Sequence, residues 1–412
     1  MKPVIVIGGG IVGISTAIWL QRTGKSVTLI DRGNAEAQAS YGNAGVLASS
    51  SVIPVTTPGI ALKIPKMLLD PKEPLFVKLS YLPRLAPWAL RYLSHSKASE
   101  VRRIAAALRH IIGDSLEDHL ALAGGTNAEK RIIPTDFTFM YENQNAFEKD
   151  GFGWSVKKEL GFEWDSLNEA ERKAYDPVFA PDLTFAARLG NHGRINDPSA
   201  YVADLTSHFS AQGGTVLKGE VEDFILENGQ VTGVRVGGAP LEASAVAVTA
   251  GAWSTRLTSK LGIKIPLEAE SGYHLEFWEP NKMPRSPSLI PSGKFIATPM
   301  EGRLRVAGMV EFGGLENQAS QAPFDLLRKN AIRAIPGLTW KEETQWMGHR
   351  PAPTDSVPII DQVPGAAGVF LGFGHQHVGL TGGARTGQLL SQLISKQKPN
   401  IDMTPYACDR FA

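Results

Sequence analysis

The chain has 412 residues, 43% hydrophobic and 20% charged, with a formal net charge of +1. That length holds two or three domain-sized units around a large core, and the near-zero charge gives no electrostatic reason to expect nucleic acid as a partner. The single cysteine, Cys408, excludes an internal disulfide, an iron–sulfur cluster and a cysteine zinc site, so a reducing, cytoplasmic setting without a structural metal is expected.

Val4-Ile5-Val6-Ile7 reads as a strand buried on both faces of a parallel sheet. Gly8-Gly9-Gly10-Ile11-Val12-Gly13 follows, then a helical stretch closed by Gly24, then a second strand, Ser26 to Ile30, ending at Asp31 and Arg32. The glycines serve different ends. Gly8 makes the tight turn, Gly10 admits a pyrophosphate to the backbone, and Gly13 lets helix and strand touch. Ile11 and Val12 open the helix, whose free N–H groups face the phosphates. Asp31 stands at the spacing of about 20 residues at which a carboxylate meets ribose hydroxyls. Glycines interrupt the apolar start, and Arg22 and Lys25 follow it, which does not fit a secretory leader. No uncharged run reaches the ~20 residues of a membrane-spanning helix.

The motif alone fits NAD as well as FAD. The next segment, Ala39-Ser40-Tyr41-Gly42-Asn43-Ala44-Gly45-Val46, is a small-residue loop that can lie against a flat ring system, with Ser40 and Asn43 offering side-chain hydrogen bonds. Together the two segments resemble the D-amino-acid oxidase and glycine oxidase superfamily, and within it the FAD-dependent D-amino-acid dehydrogenases. The resemblance implies an α/β chain with a Rossmann-type, glutathione-reductase-like FAD-binding domain assembled from residues 1–50, 190–266 and 340–412. A substrate domain, α+β with a mainly antiparallel sheet, would take 51–189 and 267–339.

Pro54, Pro58, Pro65, Pro71, Pro74, Pro83 and Pro87 punctuate an apolar stretch over 50–95, which predicts short helices joined by fixed turns. Some members of the resembling family meet a membrane and pass electrons to quinones, so a peripheral patch is one expectation here and ordinary packing the other. Residues 98–123 read as an amphipathic helix with Arg102, Arg103, Arg109, His110 and His119 on a solvated face. From Ser199 a further helix leads to strands at 215–217, 220–224 and 231–236, with a hairpin turn at Asn228-Gly229, and then to a buried strand at 246–249. By the resemblance, Val221 meets the adenine and Ala250-Gly251 pass beneath the cofactor; Trp253 belongs either there or in the core.

Two late segments carry the chemistry. The first, Gly348-His349-Arg350-Pro351-Ala352-Pro353-Thr354-Asp355, presents a guanidinium suited to bidentate capture of a substrate carboxylate; the resemblance gives Arg350 that role, and Asp355 is its alternative, structural partner. The second, Gly374-His375-Gln376-His377-Val378-Gly379-Leu380-Thr381, opens a helix whose positive end suits a reduced flavin. A second arginine of glycine oxidases falls on His377, which leans away from that activity. His375, His377 and the pair Tyr273-His274 are the remaining candidates for orienting or acid–base work. The resemblance implies oxidative deamination of a small, D-configured amino or imino acid, with hydride passing from Cα to flavin N5 and electrons onward to a non-oxygen acceptor such as a quinone. The alternatives are a glycine or sarcosine oxidase using oxygen and a flavin subunit of a multi-chain complex. Covalent members of the family use a cysteine near the Arg-Pro segment; none is present, so FAD is expected to be non-covalent.

Overall fold

The computed structural model describes residues 2–70 and 73–411; Pro71 lies outside them. Val4–Ile7 and Val27–Asp31, both apolar runs, pair in parallel and form the middle of a six-stranded sheet. On one side Thr215–Lys218 extends it; on the other come Ala245–Val248, Val369–Phe373 and Ile359–Gln362, the last antiparallel. The Ile11–Arg22 helix packs against this sheet and, side by side, against the Gly379–Ile394 helix. A three-stranded antiparallel flap, Val221–Glu227, Gln230–Val236 and Ala239–Glu242, turns at Asn228 and Gly229, whose φ values of 52° and 76° suit a tight hairpin.

The second sheet runs Glu342–Pro353, Leu267–Trp278, Arg303–Phe312, Phe295–Met300, Ser288–Ile290, Ile132–Tyr141, Phe185–Ile195 and Val46–Leu47. Its pairs are antiparallel except Ser288–Ile290 with Ile132–Tyr141 and the short Leu75–Val77 beside Arg303–Phe312. One face is covered by the Gln321–Ala334 helix over Tyr273, Leu275 and Phe277; the other faces the first sheet. Strands 46–47 and 342–353 belong to this sheet, so boundaries at 50 and 340 do not follow it. The two strands place Val46 and Arg350 in this second sheet.

Two shorter expectations change. The 98–123 helix is two, Ala98–Ile112 and Ser115–Ala123, broken at Gly113. His119 is not on a solvated face: it is fully buried, its ring bridging the Tyr201 hydroxyl and the Leu380 carbonyl. The arginines do lie outside, paired with Glu159, Glu100 and Asp114. The proline-rich stretch forms helices Ile60–Leu69 and Leu82–Ser94, each with a proline inside.

Candidate active site

Between the sheets lies a cavity of about 1940 Å³. At one end its wall is mostly backbone. Gly8 and Gly10 to Val12 bring the open first turn of the 11–22 helix to the surface, where Ser40 Oγ accepts the Ile11 N–H at 2.9 Å. A Cβ on Gly13 would stand 1.8 Å from the Gly8 carbonyl oxygen, so only glycine lets this helix start so close to its strand. Asp31 Oδ2 accepts the Gly9 N–H at 2.7 Å, and Arg32 lies over Trp253 at 4.4 Å. Val221, Ala250 and Gly251 add an apolar slot, and Asn43, Ala44 and Val46 lead inward to Val378, Gly379, Leu380 and Thr381 at the start of the 379–394 helix. Two helix N-termini opening onto one elongated cavity fit a dinucleotide with a flat ring at its inner end. Beneath the loop, fully buried Arg305 is held by Glu276 Oε1 and donates to the carbonyls of Tyr41 and Asn43.

The inner end is built from side chains. Arg350 pairs across the sheet with Glu270, and its Nη1 donates to Glu270 Oε1 at 2.7 Å and to the Met309 carbonyl at 3.3 Å. His377 Nε2 meets the same Oε1 at 2.8 Å, while Gln376 Nε2 reaches Oε2 at 3.3 Å and the Tyr92 hydroxyl at 2.9 Å. Glu270 is only 3% exposed. Burial alone would raise its carboxyl, but His377 and Arg350 hold it down at about 2. The guanidinium lies flat over Gly272, where a Cβ would stand 2.2 Å from Arg350 Cζ. Its Nε and Nη2 donate to no partner among the described residues. Met309 and Gln376, on either side of this cluster, hold left-handed φ values of 58° and 47°, the kind of backbone strain that gathers at working sites.

A family described as FAD dependent oxidoreductase (DAO) matches residues 3–393. The chain belongs to it. FAD is therefore its cofactor, and its reaction is an oxidoreduction. The chain is 36% identical to a D-amino-acid oxidase of Bradyrhizobium diazoefficiens, an alignment covering 100% of this chain and 99% of that one. Glycine oxidase from Geobacillus kaustophilus superposes with a TM-score of 0.76 at 20% identity, covering 99% of this chain and 98% of that one. L-amino acid deaminase from Proteus myxofaciens gives 0.75 at 16% identity, covering 100% and 94%. At those identities the two structures speak to the fold alone.

Within this FAD-dependent oxidoreductase, Arg350, Tyr273, His375 and His377 line the cavity, and His274 does not. His274 stacks on Trp346 at 5.1 Å and bonds the Gly42 carbonyl; burial pushes it down to about 3, so it is a neutral prop for the 39–46 loop. The Tyr273 hydroxyl donates to Glu311 at 2.5 Å, on the side of the 321–334 helix. His375 bonds Thr386 at 2.8 Å and burial pushes it down to about 4. Gly13, Gly45 and Gly374 support the wall from behind without lining it. Asp355 is not the partner of Arg350: it pairs with Arg410 at 2.8 Å. Sequence reasoning missed Glu270, Gln376, Tyr92 and the Arg305–Glu276 pair. The one signal for Glu270 was a carboxylate two residues before the Gly272-Tyr273 step, inside an otherwise buried strand.

Proposed function

We propose that the chain oxidises the Cα–N bond of a small amino or imino acid, D-configured, and passes the electrons to an acceptor other than oxygen. The observation that carries this reading is the guanidinium of Arg350, fixed in the cavity wall by Glu270 and Met309 on one nitrogen, with two donor positions left for a ligand. A planar carboxylate is the matched ligand. Glu270 offsets the charge of Arg350, so the guanidinium meets a carboxylate chiefly through its directed N–H donors. Held there, the carboxylate fixes the direction of the α C–H bond. What a bound FAD supplies is the two-electron sink for that hydrogen. Loss of the second N–H proton leaves an imine, which water converts to a 2-oxo acid and ammonia, or which persists when the substrate is cyclic. No strong protein base is required if the amine enters neutral, which fits His375 being held neutral by burial. Cys408, the one cysteine, is buried at residues 408–411 and does not line the cavity, which supports non-covalent FAD.

The choice of acceptor rests on the outside of the molecule. Leu62, Leu79 and Leu90 are 87%, 81% and 71% exposed, and exposed Val55, Leu68 and Leu82 also line the cavity. Lys63, Arg84 and Arg91 lie exposed among them. An apolar rim with basic residues at the mouth suits a bilayer surface and a quinone dissolved in it, although no helix among the described residues is long and apolar enough to cross a membrane. The test is a screen of D- and L-amino and cyclic imino acids on the purified flavoprotein, with a redox dye and, separately, with oxygen and a peroxide assay. Dye reduction without peroxide supports the reading. Stoichiometric peroxide overturns the acceptor, and silence from every amino acid overturns the reaction.

A further inference from the structure

We infer that Lys157 forms a second anion subsite in the same cavity, one that receives an acidic group carried on the side chain of the substrate. It rests on the amino-acid reading above and narrows it to substrates with two acidic groups.

Lys157 belongs to the Gly151–Glu159 helix and is 6% exposed, yet it lines the cavity. Its Nζ sits 4.0 Å from the centre of the Phe139 ring and 4.2 Å from that of Trp154. It makes no hydrogen bond and no ion pair among the described residues. Asp150, whose field it feels, accepts the Tyr141 hydroxyl at 3.0 Å instead. His192, also within its field, is pushed down to about 4 by burial and bonds Gly190 and Ser50, so it offers no counter-charge. Two aromatic faces attract a desolvated ammonium, but they leave its three N–H donors unmet. Burial accordingly pushes the amine down to about 7. An anion arriving from the cavity would supply both the missing charge and the missing acceptors.

The placement relative to Arg350 supports a ligand shared between the two. Phe139 pairs with Leu289, Leu289 with Ile296, and Ile296 with Ala307, and all four line the cavity. This apolar row leads across about 14 Å of sheet, at roughly 4.8 Å per strand, to the strand whose Met309 carbonyl holds Arg350. Lys149 and Lys294, both exposed, line the cavity too, which gives an incoming dianion a favourable approach.

The experiment uses the FAD-loaded protein and reads binding from the flavin spectrum. Straight-chain dicarboxylates from succinate to suberate are titrated beside monocarboxylates of the same length. At one length the dicarboxylate is expected to bind about tenfold tighter or more, the worth of a hydrogen bond to a charged group. Lys157→Met, which keeps the stem between the rings, should erase that advantage and leave the monocarboxylate Kd unchanged; Lys157→Arg should restore part of it. Equal flavin content and far-UV circular dichroism establish that the variants are folded. Dicarboxylates no tighter than monocarboxylates at any length, or a Lys157→Met change that weakens both alike, overturn the subsite. A dicarboxylate advantage in a protein that turns over no amino acid keeps the subsite and sinks the reaction.

Discussion

The two ends of the cavity are built from different materials. At the end proposed for the nucleotide the cavity wall is backbone: Gly8 to Val12, Ala250-Gly251, and the first turns of two helices. At the end proposed for the substrate the wall is a cluster from strands distant in sequence, Arg350 and Glu270 with the Met309 carbonyl, joined by His377 and Gln376 from a short turn. A backbone site tolerates change in its side chains but not an added Cβ at its closest approach. A side-chain site inverts this: its geometry survives backbone drift only as long as its charges stay balanced.

That contrast can be broken by experiment. The largest effect is expected at the nucleotide end. Gly13→Val drives a side chain into the Gly8 carbonyl, so the purified protein should carry no yellow flavin and no activity, measured by absorbance and dye reduction; a fully loaded variant would refute the close approach. Next, Arg350→Leu should keep its flavin and lose about a thousandfold in kcat/KM, the scale of a charged bidentate contact of roughly 3–5 kcal/mol. Undiminished turnover would end the carboxylate account.

The pH profile sharpens the same division. Glu270, held at about 2, is ionised, and His375, pushed down to about 4, is neutral throughout the range above pH 6, so neither changes charge there. The substrate ammonium must lose its proton, and each pH unit below its pKa costs about tenfold in the reactive form. kcat/KM should therefore rise between roughly pH 6 and 8, also in a His377→Gln variant; a flat profile contradicts the requirement for a neutral amine. Glu270→Gln leaves the cavity less negative but frees Arg350 and His377 from their common anchor. We expect kcat to fall about tenfold with KM changing by less, because orientation rather than attraction is lost. A rise in KM with kcat intact would make Glu270 an electrostatic element instead. The smallest effect should be His274→Asn, under about threefold in kcat/KM, since its ring does not line the cavity and is stacked on Trp346 and bonded to the Gly42 carbonyl.

How much was legible follows from the same division. The strand–glycine–helix start, the 39–46 loop and the 374–381 turn are local, and each announces its backbone within a dozen residues. Arg350 was legible because the Gly348-His349-Arg350-Pro351 run resembles a segment of the family, and a guanidinium is the matched partner of a carboxylate. Glu270 was not: it stands eighty positions away and meets Arg350 only through the register of the 267–278 and 342–353 strands. His119 reads as a solvent-facing helix residue and Lys157 belongs to no motif, because nothing nearby in sequence shows that Leu380 or Phe139 will cover them. Strain at Met309 and Gln376 likewise has no signature in residue type, since neither is a glycine or asparagine.

The contact between the 11–22 and 379–394 helices has a consequence for how the molecule is made. Gly383 faces Ile11 and Gly387 faces Ser15, each too close to accept a Cβ without displacement, and the 369–373 strand pairs with 245–248 in the six-stranded sheet. The glycine turn at residues 8–13 leaves the ribosome early, yet the helix packed against its own helix is translated hundreds of residues later. Flavin capture is therefore expected to come late in biogenesis, and a chain arrested before residue 369 should emerge colourless and be readily cut by proteases.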